Sequence, residues 1–289
     1  MADVKIKASV GEGGKNKPAD VAIVEDLLNR QRTTTPLVLD GLASADLNTA
    51  IRKYQTDVLK SLSPDGRVDA GGGTIAGLLR SAEPSAANGL FGTQRATLGP
   101  TTRVATIEDL YKRQFGMSPP GLGVLTRAII ADPNITDIRW AAYMLATAWL
   151  ETKFTFQPID EDGKGSGRDY GDGETYTDTK GIKHENVYYG RGYAQITWLK
   201  NYLTNGKAIG VDDQLAIDPS KALDPAIAYQ LMSQGMRKGT FTGVSFSHYI
   251  VGTKCDYFNA RRIINGTDRA TEIANTAESL EVVLRVAVL

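Results

Sequence analysis

The sequence predicts a mainly α-helical protein of two domains, and three observations predict it. The chain has 289 residues, long enough for more than one core. Apolar residues recur at helical spacing through most of it. A stretch without any period, "SAEPSAANGLFGTQRATLGPTTR", separates a short first region from a long second one. The expected division is residues 1–83, a linker over 84–103, and a second domain over 104–289.

Taken in order, "PADVAIVEDLLNRQ" sets Val21, Val24, Leu27 and Leu28 on one helical stripe, with Asp20 able to cap. "SADLNTAIRKYQTDVLKSL" places Leu47, Ile51, Tyr54, Val58 and Leu62 at the same spacing behind a capping Ser44. "GGTIAGLLRS" is a third, shorter helix. "LDG" at 39–41 and "SPDG" at 63–66 read as turns in which Gly takes a positive φ, and their recurrence hints at a weak repeat. Beyond the linker, "TIEDLYKRQF" opens with Thr106 as the expected cap. "NITDIRWAAYMLATAWLET" is the strongest helix, with Ile135, Ile138, Ala142, Leu145 and Trp149 as its expected buried face. Residues 157–186 are polar, acidic and Gly-rich, a long irregular segment of the kind that carries function. After Gly190-Arg191-Gly192 the chain alternates, with Tyr193, Gln195 and Thr197 on one face and Ala194, Ile196 and Trp198 on the other. That predicts a short half-buried strand, the small β element of the domain. Three further helices are expected at "DPAIAYQLMSQGMRKG", "DYFNARRIING" and "RATEIANTAESLEVVLRVAV".

Composition narrows the function. Lys+Arg and Asp+Glu both total 33, so bulk charge points to no nucleic acid and no anionic membrane as partner. One cysteine, Cys255, allows no internal disulfide. With only His184 and His248 beside it, a zinc site is not expected, nor any other cofactor. No apolar run approaches the roughly 18 residues of a membrane span, and the N-terminus has no secretory pattern. A soluble, cytoplasmically made protein is expected.

The chemistry gathers in the second domain. "YYGRGYAQITWLKNY", residues 188–202, combines four tyrosines and a tryptophan with Gln, Thr and Asn. Rings that cover apolar sugar faces and amides that bond hydroxyls are what a carbohydrate site needs. Glu151 lies at the C-terminal end of the strong helix, beside Trp149, Leu150, Phe154 and Phe156. The helix dipole and the apolar neighbours both disfavour its charged form, as a general acid requires. Glu161 follows ten residues later in "QPIDEDG", where a solvated acid suits a general base. Asp160 and Asp162 fit that role equally well on these grounds.

Residues 104–289 resemble the glycoside hydrolase family 19 lysozymes and chitinases in the form found in bacteriophage endolysins. "YMLATAWLETKFTFQPIDE" is similar to the helix and loop bearing the family's two catalytic glutamates. "YYGRGYAQITWLKNY" resembles its diagnostic segment, and "RRIINGTD" its late Asn-Gly motif. The resemblance implies a lysozyme-like helical domain in which Glu151 is the general acid and Glu161 the base that activates water, with Glu174 in reserve. It implies that Gln195, Thr197 and Asn201 bond N-acetylated sugars and that Asn265 positions water or substrate. By motif position Tyr188, Arg191 and Tyr193 belong to the cleft wall. Leu150 stands where many relatives have His, which implies altered support for the glutamate rather than lost activity. The first 83 residues resemble three-helix peptidoglycan-binding domains, with Asp40-Gly41 and Asp65-Gly66 as candidate ligand turns.

The implied activity is an inverting endolysin, a muramidase that cuts peptidoglycan between N-acetylmuramic acid and N-acetylglucosamine during host lysis. Its implied partner is the bacterial cell wall. It would be a monomer without stable membrane insertion, held in the host cytoplasm until a holin-type permeabiliser gives access to the wall. A chitinase of the same fold is the nearest rival. A lytic transglycosylase would need only one Glu, and a cysteine peptidase would need Cys255 paired with His248. A non-catalytic wall-binding phage protein would need neither glutamate.

Overall fold

The computed structural model describes residues 6–31, 37, 41–81, 100–252 and 254–288. With 55% helix against 9% strand the protein is mainly α. It divides into two compact units, Met1–Gln94 with Val282–Leu289, and Arg95–Glu281. The C-terminal boundary differs from the expected second domain, because the last eight residues are assigned to the first unit.

In the first unit, β1 (Val10–Gly11) pairs antiparallel with β2 (Arg67–Val68), and three helices surround the pair. α1 (Pro18–Arg30) starts with Pro at its first position, where the missing N–H costs nothing. Asp20 does not cap it; its carboxylate accepts from the N–H groups of Lys7 and Ala8 and ties the segment before β1 to the helix. α2 (Ala45–Asp57) is capped by Ser44, which accepts from Leu47 N–H at 3.0 Å. The helix ends at Asp57, so Val58 is exposed and Leu62 fully so, against the expected stripe. α3 is Gly73–Ser81. Val21, Val24, Leu27, Leu28, Leu47, Ile51, Tyr54, Val68, Ile75 and Leu78 form the core. Each aliphatic side chain fully buried this way contributes roughly 1.5–3 kcal/mol. Buried Gln55 fastens the Ser63–Gly66 turn to this core, accepting from Gly66 N–H and donating to Asp65 and to Arg67 O. Gly11 has φ +97, and a Cβ there would lie 2.2 Å from Gly66 O. Asp40 lies outside the described residues.

The second unit begins with α4 (Pro100–Phe115). Residues 84–99 of the expected linker lie outside the described residues, and 100–103 are helical, so Thr106 stands inside α4 rather than capping it. α5 (Leu122–Ala131) ends at Asp132, whose carboxylate accepts from Asn134 N–H, Tyr229 OH and Ser233 OH. Burial alone would raise that carboxyl, but these bonds prevail and hold it below the ordinary value. α6 (Ile138–Glu151) is capped by Asp137, which accepts from Arg139 N–H. The sequence suggested one buried face, yet every residue from Ala141 to Ala148 is buried, because the run of alanines lets neighbours close in on all sides. Trp149 is only half-buried.

The irregular segment follows. β3 (Ile159–Asp160) pairs antiparallel with β6 (Arg191–Gly192), and between them β4 (Glu174–Thr177) and β5 (Lys183–Asn186) form a hairpin. α7 (Leu199–Ala208), α8 (Gln214–Ile217), α9 (Pro225–Lys238) and α10 (Phe246–Tyr249) come next. A small ladder, β7 (Ile250–Val251) with β8 (Lys254–Cys255), precedes α11 (Tyr257–Ala260), a 3-10 turn over Arg261–Ile263 and α12 (Ala270–Val288). Asp224 caps α9 by accepting from Ala226 and Ile227 N–H. Among the described residues no helix is long and apolar enough to cross a membrane.

Candidate functional site

Glu151 is the last residue of α6, and the chain beyond it turns sharply. The Thr152 hydroxyl donates to Ala148 O at 2.6 Å and accepts from Phe156 N–H at 2.8 Å, which pins the turn. Lys153, Phe154 and Phe156 have φ of +52, +69 and +54, a left-handed run that non-glycine residues hold only when packing enforces it. Glu151 Oε1 accepts from Arg261 Nη1 at 2.6 Å, and Arg261 Nε donates to Asp268 O. Arg261 is buried. The sequence argument surrounded Glu151 with apolar groups and a helix dipole; the structure adds a guanidinium. On the same helical face two turns earlier, the Tyr143 hydroxyl is raised by burial, an effect the Arg261 charge opposes.

Glu161 follows β3 and is held differently. Its N–H donates to Gly190 O at 2.7 Å, and its Oε2 accepts from Gly190 N–H at 2.8 Å. A side chain at 190 would meet Gln195 Oε1 at 2.8 Å and Glu161 Oε2 at 3.2 Å, so a larger residue would have to displace one of these side chains. Glu161 Oε1 accepts from Tyr170 OH at 2.7 Å. The Tyr170 hydroxyl is pushed up to about 12, first by desolvation and then by its bond to Glu161, and so remains a donor.

This geometry separates the three adjacent acids, which sequence alone left equivalent. Asp160 faces cations, with Arg191 Nε 3.4 Å from Oδ1 and Lys164 Nζ 3.3 Å from Oδ2. The Arg191 contact is an ion pair without a hydrogen bond, because Oδ1 has none. Asp162 is exposed and pairs with Lys153. Glu161 alone of the three is bonded by neutral donors. The Lys153–Asp162 pair joins the segment just after Glu151 to the segment just after Glu161.

The stretch 188–202 does not form the expected strand. β6 stops at Gly192, and 193–195 are a turn closed by an Arg191–Ile196 bridge. Gln195 and Trp198 take φ of +52 and +71, which breaks the alternation and redistributes the side chains. Tyr193 is buried, its hydroxyl pushed up to about 12 by desolvation and then by the Asp224 charge. Tyr188 is fully buried and donates to Ala216 O at 2.7 Å. Buried Arg191 donates to Val187 O, Tyr189 O and Tyr202 OH, with its guanidinium 3.5 Å from the centre of the Tyr189 ring. All three side chains are buried, and Arg191 also lines the open pocket beside Glu174. Gln195 Nε2 is spent on Ile159 O and Gly192 O. Thr197 and Asn201 are half-buried, and Trp198, expected with the apolar face, is 42% exposed. Asn265 is exposed in the turn after Arg261, its Oδ1 accepting from Gly266 N–H. Glu174 is exposed on β4 and lines an open pocket of about 470 Å³ with Asp172, Glu185, Asn186, Tyr189 and Arg191.

Two partners of the glutamates were missed: Arg261 stands inside the quoted "RRIINGTD" motif, and Tyr170 is a lone ring in the acidic loop. Cys255 and His248 form no pair among the described residues. His248 Nδ1 accepts from Ser245 N–H. Cys255 is exposed as a residue, but its thiol is pushed up to about 11, mainly by desolvation around the sulfur and next by Glu281. Among the described residues no three His, Cys, Asp or Glu gather as a metal site. Comparison with family models, curated proteins and solved structures returns no match.

Proposed function

We propose that the second unit hydrolyses the β-1,4-linked glycan of peptidoglycan between N-acetylmuramic acid and N-acetylglucosamine, with inversion at the anomeric carbon. The observation that carries this reading is the contrast between two carboxylates ten residues apart, one bonded by a buried arginine and one by a phenol and a backbone amide. Glu151 is the proton donor to the glycosidic oxygen. Arg261 engages Oε1, and Oε2 is the oxygen that carries the proton. Glu161, acceptor on both oxygens, takes the proton from a water that attacks the opposite face of the sugar. Inversion requires the two carboxyls about 6.5–9.5 Å apart in the working complex, with room for that water. Thr197, Asn201 and Asn265 are the proposed hydrogen-bonding contacts to the sugar acetamides and hydroxyls, on a frame held by Gln195, Arg191, Tyr188 and Tyr193.

The first unit is proposed to bind the wall and raise the local concentration of the insoluble substrate at the second. The protein then acts as a phage endolysin, waiting in the host cytoplasm for a holin-type permeabiliser. Mass spectrometry of digested peptidoglycan tests this: new reducing-end N-acetylmuramic acid is expected. Release from chitin oligomers alone would make it a chitinase, an anhydro product would make it a transglycosylase, and no product would leave a wall-binding protein.

A further inference from the structure

We propose that Trp198 is the sugar-stacking platform of this site, and that Tyr170 is a positioning residue coupling that platform to Glu161. The inference rests on the glycan-hydrolase reading above and deepens it.

A large ring is seldom left exposed in a strained backbone without reason. Trp198 is 42% exposed and has φ +71, a left-handed conformation that is a true outlier for a bulky residue. Its backbone is fastened on both sides. The N–H donates to Tyr188 O at 2.8 Å, and the C=O accepts from Asn201 and Tyr202 N–H at 2.9 and 3.1 Å, opening α7. Tyr188 and Tyr202 belong to a buried cluster with Ile196, Leu215, Ala222 and Leu231, so the anchor is rigid. The other two tryptophans are engaged otherwise. Trp140 stacks on Phe246 with its indole N–H on Ile250 O, and Trp149 packs against Phe154.

What sits beside Trp198 is informative. Its ring meets Tyr170 nearly at right angles, with centroids 5.3 Å apart, and the Tyr170 hydroxyl reaches on to Glu161 Oε1. One phenol therefore touches the exposed indole with its ring and the base with its oxygen. A rigid, partly wet indole is suited to the apolar face of a hexosamine ring. A sugar seated on it would hold Tyr170 in place, and Tyr170 would hold Glu161.

The two roles predict different kinetics. In the full-length protein acting on peptidoglycan fragments, Trp198→Ala should raise KM about tenfold, equivalent to 1.4 kcal/mol, with kcat little changed. Trp198→Phe should recover most of the loss. Tyr170→Phe keeps the ring contact and removes the hydroxyl, so kcat should fall with KM unchanged. Circular dichroism and melting monitor folding of each variant. An active wild type whose KM is unmoved by Trp198→Ala would overturn the platform while leaving the hydrolase reading intact. Equal losses in kcat and KM for Tyr170→Phe would overturn the coupling. A wild-type protein that neither binds nor cuts glycan would overturn both readings together.

Discussion

Glu151 ends a helix that is buried along most of its length, whereas Glu161 stands in a segment whose adjoining strands are two residues long. The first carboxylate meets a cation delivered from a distant turn, Arg261. The second meets neutral donors, Tyr170 from its own loop and Gly190 from just before the paired strand. The two carboxylates therefore differ in what holds them, one by a charged donor and the other by neutral ones.

Removing the transferable proton is expected to have the largest effect. Glu151→Gln should lower kcat on purified peptidoglycan by about 10²–10⁴-fold, the size of one positioned proton transfer, with the helical circular dichroism retained. Glu161→Gln should lose a similar factor. Near wild-type turnover in the latter would remove the base and favour a transglycosylase. Next comes the cation. Arg261→Met removes the buried donor to Glu151 Oε1 and Asp268 O and should destabilise the second unit by about 1–3 kcal/mol in denaturant unfolding.

Asp132 offers a control for a carboxylate held by neutral donors alone. Its loss in Asp132→Ala leaves Tyr229 and Ser233 without their acceptor and should cost about 1–3 kcal/mol. Because its folded value lies below the ordinary 3.8, its stabilisation is present above that pH and is lost as the pH falls through the lowered value. The gap in melting temperature between wild type and Asp132→Ala should therefore narrow in acid. The smallest effect belongs to the first unit, where Ser44→Ala removes a helix cap worth about 1 kcal/mol, leaving turnover on soluble fragments unchanged.

Much of the fold was legible because its signals are local. Apolar spacing located α1, α2, α3, α6 and α9, and the Ser44 cap follows from side-chain chemistry alone. What escaped depends on contacts far apart in sequence or on unusual backbone. Asp20 has the chemistry of a cap, yet it bonds the backbone of Lys7 and Ala8 ahead of β1. The alternation after Gly192 imitates a strand because Gln195 and Trp198 adopt positive φ without being glycine. Arg261 and Arg262 look alike in sequence, but one is buried against Glu151 and the other is exposed. The acidic triplet names Glu161 only once the strand pair delivers Gly190 to it.

The most direct test of the paired-carboxylate account is proton NMR of the first anomer released from a β-1,4-linked muropeptide glycan. Inversion by Glu151 and Glu161 predicts that the α-anomer appears first and then mutarotates. A β-anomer released first, or a 1,6-anhydro end, would contradict it.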